Sequence, residues 1–336
     1  MNTLLKKLTE IHGVSGNEDS VREIIIEEVK PFCDTLRIDK MGNLIAFKKG
    51  TGKDRKRIML GAHMDEVGFM VKSIDDNGAL KFMTAGSIDR RVLIGKRVLV
   101  GKDRIPGAIA YKAVHNQKGE YDVLPKVEQL SIDIGFSDKK EAEKAVSVGD
   151  YVIFDTEYEE RGDILKGKAF DDRFGCYAII EIMKSKHKHD IYGAFFVQEE
   201  VGLRGSSAST YSIKPDYAIV LEGTSAADMP HEKDEADFPQ MQKGVVVTIS
   251  DRTFFANKEF LAFVIKTAKE NKIKMQFKQP MIGGTDAGMI HKTKTGVKTM
   301  VFAVPSRYIH SPVCYASMSD LESMIELAKK TINNIK

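Results

Sequence analysis

Three short apolar runs in this chain end on side chains that are costly to bury. Ile58-Met59-Leu60 runs through Gly61-Ala62 into His63-Met64-Asp65-Glu66, Phe195-Phe196-Val197 into Gln198-Glu199-Glu200, and Ile219-Val220-Leu221 into Glu222. Runs of this length, bounded by polar and glycine residues, predict buried strands. An ionisable group at the end of a buried strand needs a reason to lose its water. In open α/β sheets, sites gather beyond the carboxyl ends of the strands, so the same three endings predict a fold class and a place for function.

The patterning changes twice along the chain. Residues 18–32 carry a helical stripe (Val21, Ile24, Ile25, Ile26, Val29), with Ser15 and Asn17 as candidate caps and an end near Pro31. Strands are predicted at 36–39, 43–48 and 57–62. From 67 to about 165, apolar runs at 67–74, 79–83, 92–100, 105–113 and 151–155 alternate with turns. Asp75-Asp76-Asn77-Gly78 is a hairpin signal, and only 138–145 reads as helix. After Gly167 helices and strands alternate. Helices are predicted at 172–185, 257–271, 286–291 and 320–335, and strands at 191–197, 217–221, 245–249, 275–277 and 297–303. The expected architecture is α/β: residues 1–66 and 167–336 form a mixed sheet sandwiched by helices, interrupted by a mostly β domain at 67–166.

Composition excludes several classes. A length of 336 residues, 42% hydrophobic and 29% charged, with a net charge of +3, describes a globular chain without the basic stripe of a nucleic-acid binder. The most basic stretch, 184–189, reads as a solvated loop between a helix and a strand. No apolar run approaches the ~20 residues that span a bilayer, and residues 1–16 lack a signal-peptide core. Three separated cysteines, Cys33, Cys176 and Cys314, argue against a disulfide framework and suit the cytoplasm.

The candidate chemistry lies in five local contexts. His63 and Asp65 share a face at strand spacing, so a carboxylate stands ready to hold or tune an imidazole. Asp171, at the start of the predicted helix, has two readings: an N-cap, or a carboxylate bridging two cations. Glu199 and Glu200 follow a strand, where neighbours point to opposite faces; one is expected to face a metal and the other substrate, and spacing does not say which. Glu222 ends another strand, and His310 follows the strand at 297–303. Imidazole and carboxylate without thiolate suit Zn, Co or Mn. The remaining histidines read as surface or structural, and the loop 281–286 as a helix cap.

At these motifs the chain resembles the glutamyl/leucyl aminopeptidase family of co-catalytic metallopeptidases, whose members include the tetrahedral TET particles. The matching pieces are His63-Met64-Asp65-Glu66-Val67-Gly68, Phe170-Asp171-Asp172-Arg173, Glu199-Glu200-Val201-Gly202, Gly284-Thr285-Asp286-Ala287 and Arg307-Tyr308-Ile309-His310-Ser311-Pro312, with Leu130-Ser131-Ile132-Asp133-Ile134-Gly135 inside the insert. The resemblance implies a zinc-peptidase-like α/β domain and release of amino-terminal residues from peptides. It implies two divalent ions per subunit: His63 and Glu222 on one, Glu200 and His310 on the other, and Asp171 between them. Asp65 would orient His63, and Glu199 would be the general base. The β insert would mediate dimer contacts, and dimers would build a dodecamer. Many TET-type members carry Asp where this chain has Glu222, which offers the same oxygen donors, and an acidic residue is common where this chain has Cys314. Three alternatives stand beside this reading: a deacylase or carboxypeptidase on the same core, a glycoside hydrolase, and a non-catalytic metal-stabilised assembly protein. Glycosidases need carboxyl groups ~5 to 9 Å apart across a bond, and Glu199 and Glu200 are neighbours on one backbone.

Overall fold

The computed structural model describes residues 1–117, 123–229, 239–278 and 282–336. Its centre is an eight-stranded mixed sheet in the order Thr35–Ile38, Leu44–Lys48, Asp190–Phe196, Arg57–His63, Tyr217–Ser225, Lys298–Ser306, Val245–Thr248, Met275–Phe277. The four middle strands from Asp190–Phe196 to Lys298–Ser306 are parallel. Their side chains alternate between two cores. Ile58, Leu60, Ile219 and Leu221 join the core under Phe170–Met183 and Met318–Asn334, while Met59, Ala218 and Val220 join the one that includes Ile213 and Ile290. Helices on both faces explain why these strands are apolar throughout.

Register decides where the site falls. Phe196 pairs with His63, and Val220 pairs with Gly61. Two residues further along each strand, His63 and Glu222 are therefore neighbours, and the segment after Phe196 emerges beside them.

A third core fills a closed six-stranded barrel of Gly68–Ile74, Leu80–Ala85, Ser131–Asp133, Ile105–Ala110, Arg97–Val100 and Tyr151–Phe154. Phe69 is its centre, packed edge-on against Phe82 at 5.1 Å and Phe154 at 5.2 Å. The Asp75–Gly78 turn joins the first two strands: Asp75 N–H donates to the Ala79 carbonyl at 2.9 Å, and Gly78 takes a φ of +80°. Glu159–Arg161 and Ile164–Gly167 do not pair with the barrel; the latter pairs with Cys314–Ser317, forming a small third sheet.

Several expectations need correction. The helix near residue 18 runs Asp19–Val29, and neither Ser15 nor Asn17 caps it: Glu18 holds that position without a side-chain bond, and the Ser15 hydroxyl is bonded to Asp65. Thr3–Glu10 and Arg204–Ile213 are further helices that the patterning did not reveal. Nor is 184–189 merely solvated. His187 and His189 are buried, with ring nitrogens 2.8 Å from the Ile182 carbonyl and 2.9 Å from the Ile335 carbonyl, anchoring the carboxyl terminus. No helix among the described residues is long and apolar enough to cross a membrane.

Candidate metal centre

The five proposed ligands converge at the carboxyl ends of the parallel strands. Asp171 lies between the histidines: Oδ1 is 3.3 Å from His63 Nε2, and Oδ2 is 3.3 Å from His310 Nε2. Glu222 Oε2 is 3.7 Å from His63 Nε2, and Glu200 Oε1 is 3.1 Å from His310 Nε2. His63, Asp171 and Glu222 offer donor atoms within 4.8 Å of one another, and so do Asp171, Glu200 and His310. Glu199 also approaches, its Oε2 3.9 Å from His63 Nε2.

Local backbone makes this possible. Asp171 is not the helix cap. Asp172 Oδ1 accepts from Gly175 N–H at 2.9 Å, and Oδ2 from His63 N–H at 3.1 Å, so capping falls to Asp172 and Asp171 is free to face the histidines. Both residues are non-helical, and Ala169 before them has a φ of 54°. Gly223 admits this segment to the sheet, since a Cβ there would meet Asp171 Cβ at 2.9 Å.

The opposite-face expectation for Glu199 and Glu200 fails because the strand ends at Phe196 and Gln198 turns the chain with a φ of 56°. Both carboxylates then reach the same cluster. They still differ in outlook. Glu199 lines an open cavity of about 180 Å³ with Asp171, Glu222 and His310, whereas Glu200 faces a small space shared with Phe154 of the barrel. His310 sits in a turn with a φ of 57°, closed behind by the Arg307–Tyr315 bridge.

Asp65 lies past the end of its strand and does more than strand spacing suggested. The His63 Nδ1 contact at 2.9 Å is with the Asp65 carbonyl; the carboxylate is 3.5 Å away. That carboxylate accepts from Ser15 Oγ at 2.6 Å and from the backbone N–H groups of Glu199 at 2.9 Å and Glu200 at 3.1 Å. Asp65 therefore fixes the imidazole through its backbone and the two glutamates through its side chain.

The side chains by themselves strain to share too few protons. Burial, reinforced by Glu222, Asp286 and Glu200, drives Glu199 well above the carboxylate range. Burial does the same to Glu222, with Asp172 and Asp171 adding to it, and burial raises Glu200. Burial alone would depress the histidines. Glu199, Asp171 and Asp65 instead raise His63 well above its usual value, and Glu200 and Asp171 push His310 to about 11. Asp171, despite burial, is held far below its usual value by the two histidines, and Asp65 is lowered by His63, Ser15 and the Glu199 backbone. Oε1 of Glu222 and of Glu200 are buried without a hydrogen bond. Excess acid, imidazole nitrogen, unbonded oxygens and no thiolate fit divalent cations, whose binding would displace these protons.

Sequence reasoning missed one member. Asp286 was expected to cap the helix Ala287–Ile290, but its side chain makes no capping bond; of that loop, Met281 lies outside the described residues. Both Asp286 carboxyl oxygens are buried and unbonded, and burial raises its pKa to about 7. A helix-start aspartate carries no sequence signal for this inward position.

Known proteins of the same length and fold bear on the family. The family model for M42 glutamyl aminopeptidase matches residues 42–327, and a second model, AMPT, matches residues 1–25. A relative from Acetivibrio thermocellus, classed with the aminopeptidases, is 41% identical over 99% of this chain and 98% of its own length. The lysyl aminopeptidase of Pyrococcus furiosus is 31% identical, covering 99% and 97%. Among solved structures, the TET aminopeptidase of the archaeon Thaumarchaeota archaeon SCGC AB-539-E09 has a TM-score of 0.95 at 37% identity, covering 99% and 96%. The TET1 peptidase of Pyrococcus horikoshii, which can assemble into a tetrahedron or a large octahedral shell, has a TM-score of 0.87 at 32% identity over 99% of each chain. With a matching family model over most of its length, full-length relatives and the same α/β fold, the chain belongs to the M42 glutamyl aminopeptidase family of hydrolases.

Proposed function

We propose that this aminopeptidase works with two divalent ions per subunit, one held by His63 and Glu222, the other by Glu200 and His310, with Asp171 shared. The observation that carries the reading is the division of the Asp171 carboxylate, one oxygen toward each histidine. Zn, Co and Mn all suit the donor set. Bound there, such ions would acidify water and polarise a scissile carbonyl. Glu199 lines the open cavity beside the ligands and is the group placed to take a proton from the attacking water and return it to the leaving amine. Asp65 holds the Glu199–Glu200 backbone, which keeps base and ligand in fixed relation. The substrates are peptides with a free amino terminus.

Likeness to shell-forming TET peptidases supports self-assembly, with barrel-mediated dimers building a dodecamer, and the free cysteines suit the cytoplasm. The Glu199→Gln variant tests the chemistry. It is expected to keep both ions by elemental analysis while kcat on aminoacyl chromogenic substrates falls ~100- to 10,000-fold. A variant with full turnover refutes the base assignment.

A further inference from the structure

The geometry points to a second site, far from the metal centre, that binds a triphosphate chain in a cleft ringed by Lys56, Arg57, Lys214, Lys294, Lys298 and Lys336. The cleft holds about 490 Å³, and small-molecule sites run to ~300–1,000 Å³. Register locates it. Tyr217, in its wall, pairs with Ile58 and Lys298 at the amino ends of the parallel strands. His63 and Glu222 stand toward the other end of those strands, ~16 Å away at ~3.3 Å per residue. The inference therefore stands whether or not the two-ion reading holds.

Separate pieces of chain deliver the charge. Lys56 and Arg57 lead into the strand Arg57–His63. Lys214 ends the helix Arg204–Ile213, its N–H donating to the Thr210 carbonyl at 3.0 Å. Lys294 lies in the turn before the strand Lys298–Ser306, where Gly296 N–H donates to the Thr293 carbonyl at 3.0 Å. Lys294 Nζ stands 4.1 Å from the centre of the Tyr211 ring, which holds this cation in place before any ligand arrives.

Magnitudes decide whether these side chains are only a solvated rim. Basic residues suit the carboxyl ends of helices, and Arg204–Ile213 and Met318–Asn334 both end beside the cleft. Each such end carries ~−0.5 charge. Two acids answer the cations among the described residues. Asp216 accepts from the Arg57 backbone N–H at 2.7 Å and lies 3.9 Å from the guanidinium, and Glu259 lies 3.3 Å from Lys298. Six cations set against two acids and two helix ends leave about three positive charges uncompensated. The chain's whole formal net charge is +3, so its surplus is gathered in this one cleft. A concave site of one sign focuses the field and draws in counter-ions. A surplus near three suits a chain of several phosphates better than a single phosphate, and lysines bind phosphate as point charges. Tyr217, Lys298 and Lys336 also line an adjoining cleft of about 540 Å³ whose wall includes Phe260 and Phe263. A nucleoside carrying the triphosphate would find an aromatic wall for its base there, and an inorganic chain would not use it.

The test is equilibrium dialysis of the metal-loaded full chain against inorganic tripolyphosphate, ATP and orthophosphate at low and high salt. About one tripolyphosphate per chain is expected, bound at least tenfold tighter than orthophosphate and more weakly as salt rises. Lys214→Gln and Lys294→Gln should each weaken it about fivefold or more, the factor for one charge at ~4 Å in water. Both should keep the wild-type melting temperature and, without ligand, the wild-type hydrolysis of aminoacyl chromogenic substrates. Asp171→Asn should bind as the wild type does, which separates the cleft from chelation at the metal centre. ATP binding tighter than tripolyphosphate, with the difference lost in Phe263→Ala, assigns the site to a nucleotide; equal or weaker binding of ATP assigns it to the inorganic chain. The proposal is overturned by no saturable binding of tripolyphosphate, by orthophosphate binding as tightly, by lysine variants that bind like the wild type, or by loss of binding in Asp171→Asn.

Discussion

Two clusters of buried charge share two stretches of chain, and they are opposites. Glu66 follows three residues after His63, while Lys168 and Arg173 flank Asp171. Lys168 Nζ is bonded to both Glu66 oxygens at 2.9 and 2.7 Å, and Arg173 Nη2 reaches Glu66 at 3.3 Å. Arg173 also donates to the carbonyls of Met64, at 2.9 Å, and Leu8, tying the helix Thr3–Glu10 to the sheet. All three side chains are at most 3% exposed, and each is answered by a partner within the protein. In the metal cluster the acids outnumber their partners, and oxygens of Glu222 and Asp286 are buried without any. Burial of charge therefore does not mark function in itself. A cluster that is satisfied internally holds the fold; one that is not could hold a metal ion.

Removing Asp171, the proposed shared ligand, gives the largest contrast. Asp171→Asn keeps shape but withdraws the charge that both histidines face. Bound metal should fall below two ions per chain, and kcat/KM should drop on the order of 1,000-fold or more. A chelator should do the same to the wild type, with restoration by added Zn, Co or Mn. Full activity at low metal content in Asp171→Asn would erase the distinction between the clusters.

Much of this contrast was legible in the sequence, and the rest was hidden for identifiable reasons. His63, Glu200 and Glu222 were visible because each ends or follows an apolar strand, a local pattern. Whether Asp171 caps its helix or turns to the cluster was not visible from its local pattern. Two aspartates open the helix, and only the fold shows that Asp172 caps while Asp171 faces the two histidines. The helix Arg204–Ile213 escaped because its buried face is Gly205, Ser206, Ser209, Thr210 and Ile213, which has helical spacing but almost no apolar signal. The charge triad escaped because its partners are more than 100 residues apart, and pairing at that range leaves no trace in a single sequence.

The same chemical change should act with opposite sign in the two clusters. Glu66→Gln leaves Lys168 and Arg173 buried without a counter-charge and should destabilise the fold by roughly 3–5 kcal/mol. Glu222→Gln, measured with chelator present, removes a carboxyl that burial and the neighbouring acids already disfavour as an anion. It should leave stability unchanged or raise it by roughly 1 kcal/mol, while weakening metal binding. Urea midpoints with and without metal read both effects. Equal losses in the two variants under chelation would show that the metal cluster is held together like its neighbour.

The smallest effect sharpens the boundary of the structural cluster. His12 stands against it, half-buried, with Nε2 lacking a partner. Burial lowers its pKa to about 4; Arg104, Lys168 and Arg173 push the same way, and Glu66 pushes back. The folded value lies below the ordinary 6.5 of histidine, so the unfolded chain binds the proton more tightly. The stabilisation from keeping His12 neutral is complete above pH ~6.5 and is lost as pH falls from there toward about 4. Because the ring is partly exposed, the loss should be only roughly 1–2 kcal/mol after solvent screening. His12→Gln should flatten the stability profile over that interval relative to wild type. In the Glu66→Gln background the interval should begin at higher stability cost, since the one opposing charge is gone. If His12→Gln leaves the acid limb of the profile unchanged, neither burial nor the surrounding cations disfavour the charged ring, and the proposed boundary of the cluster fails.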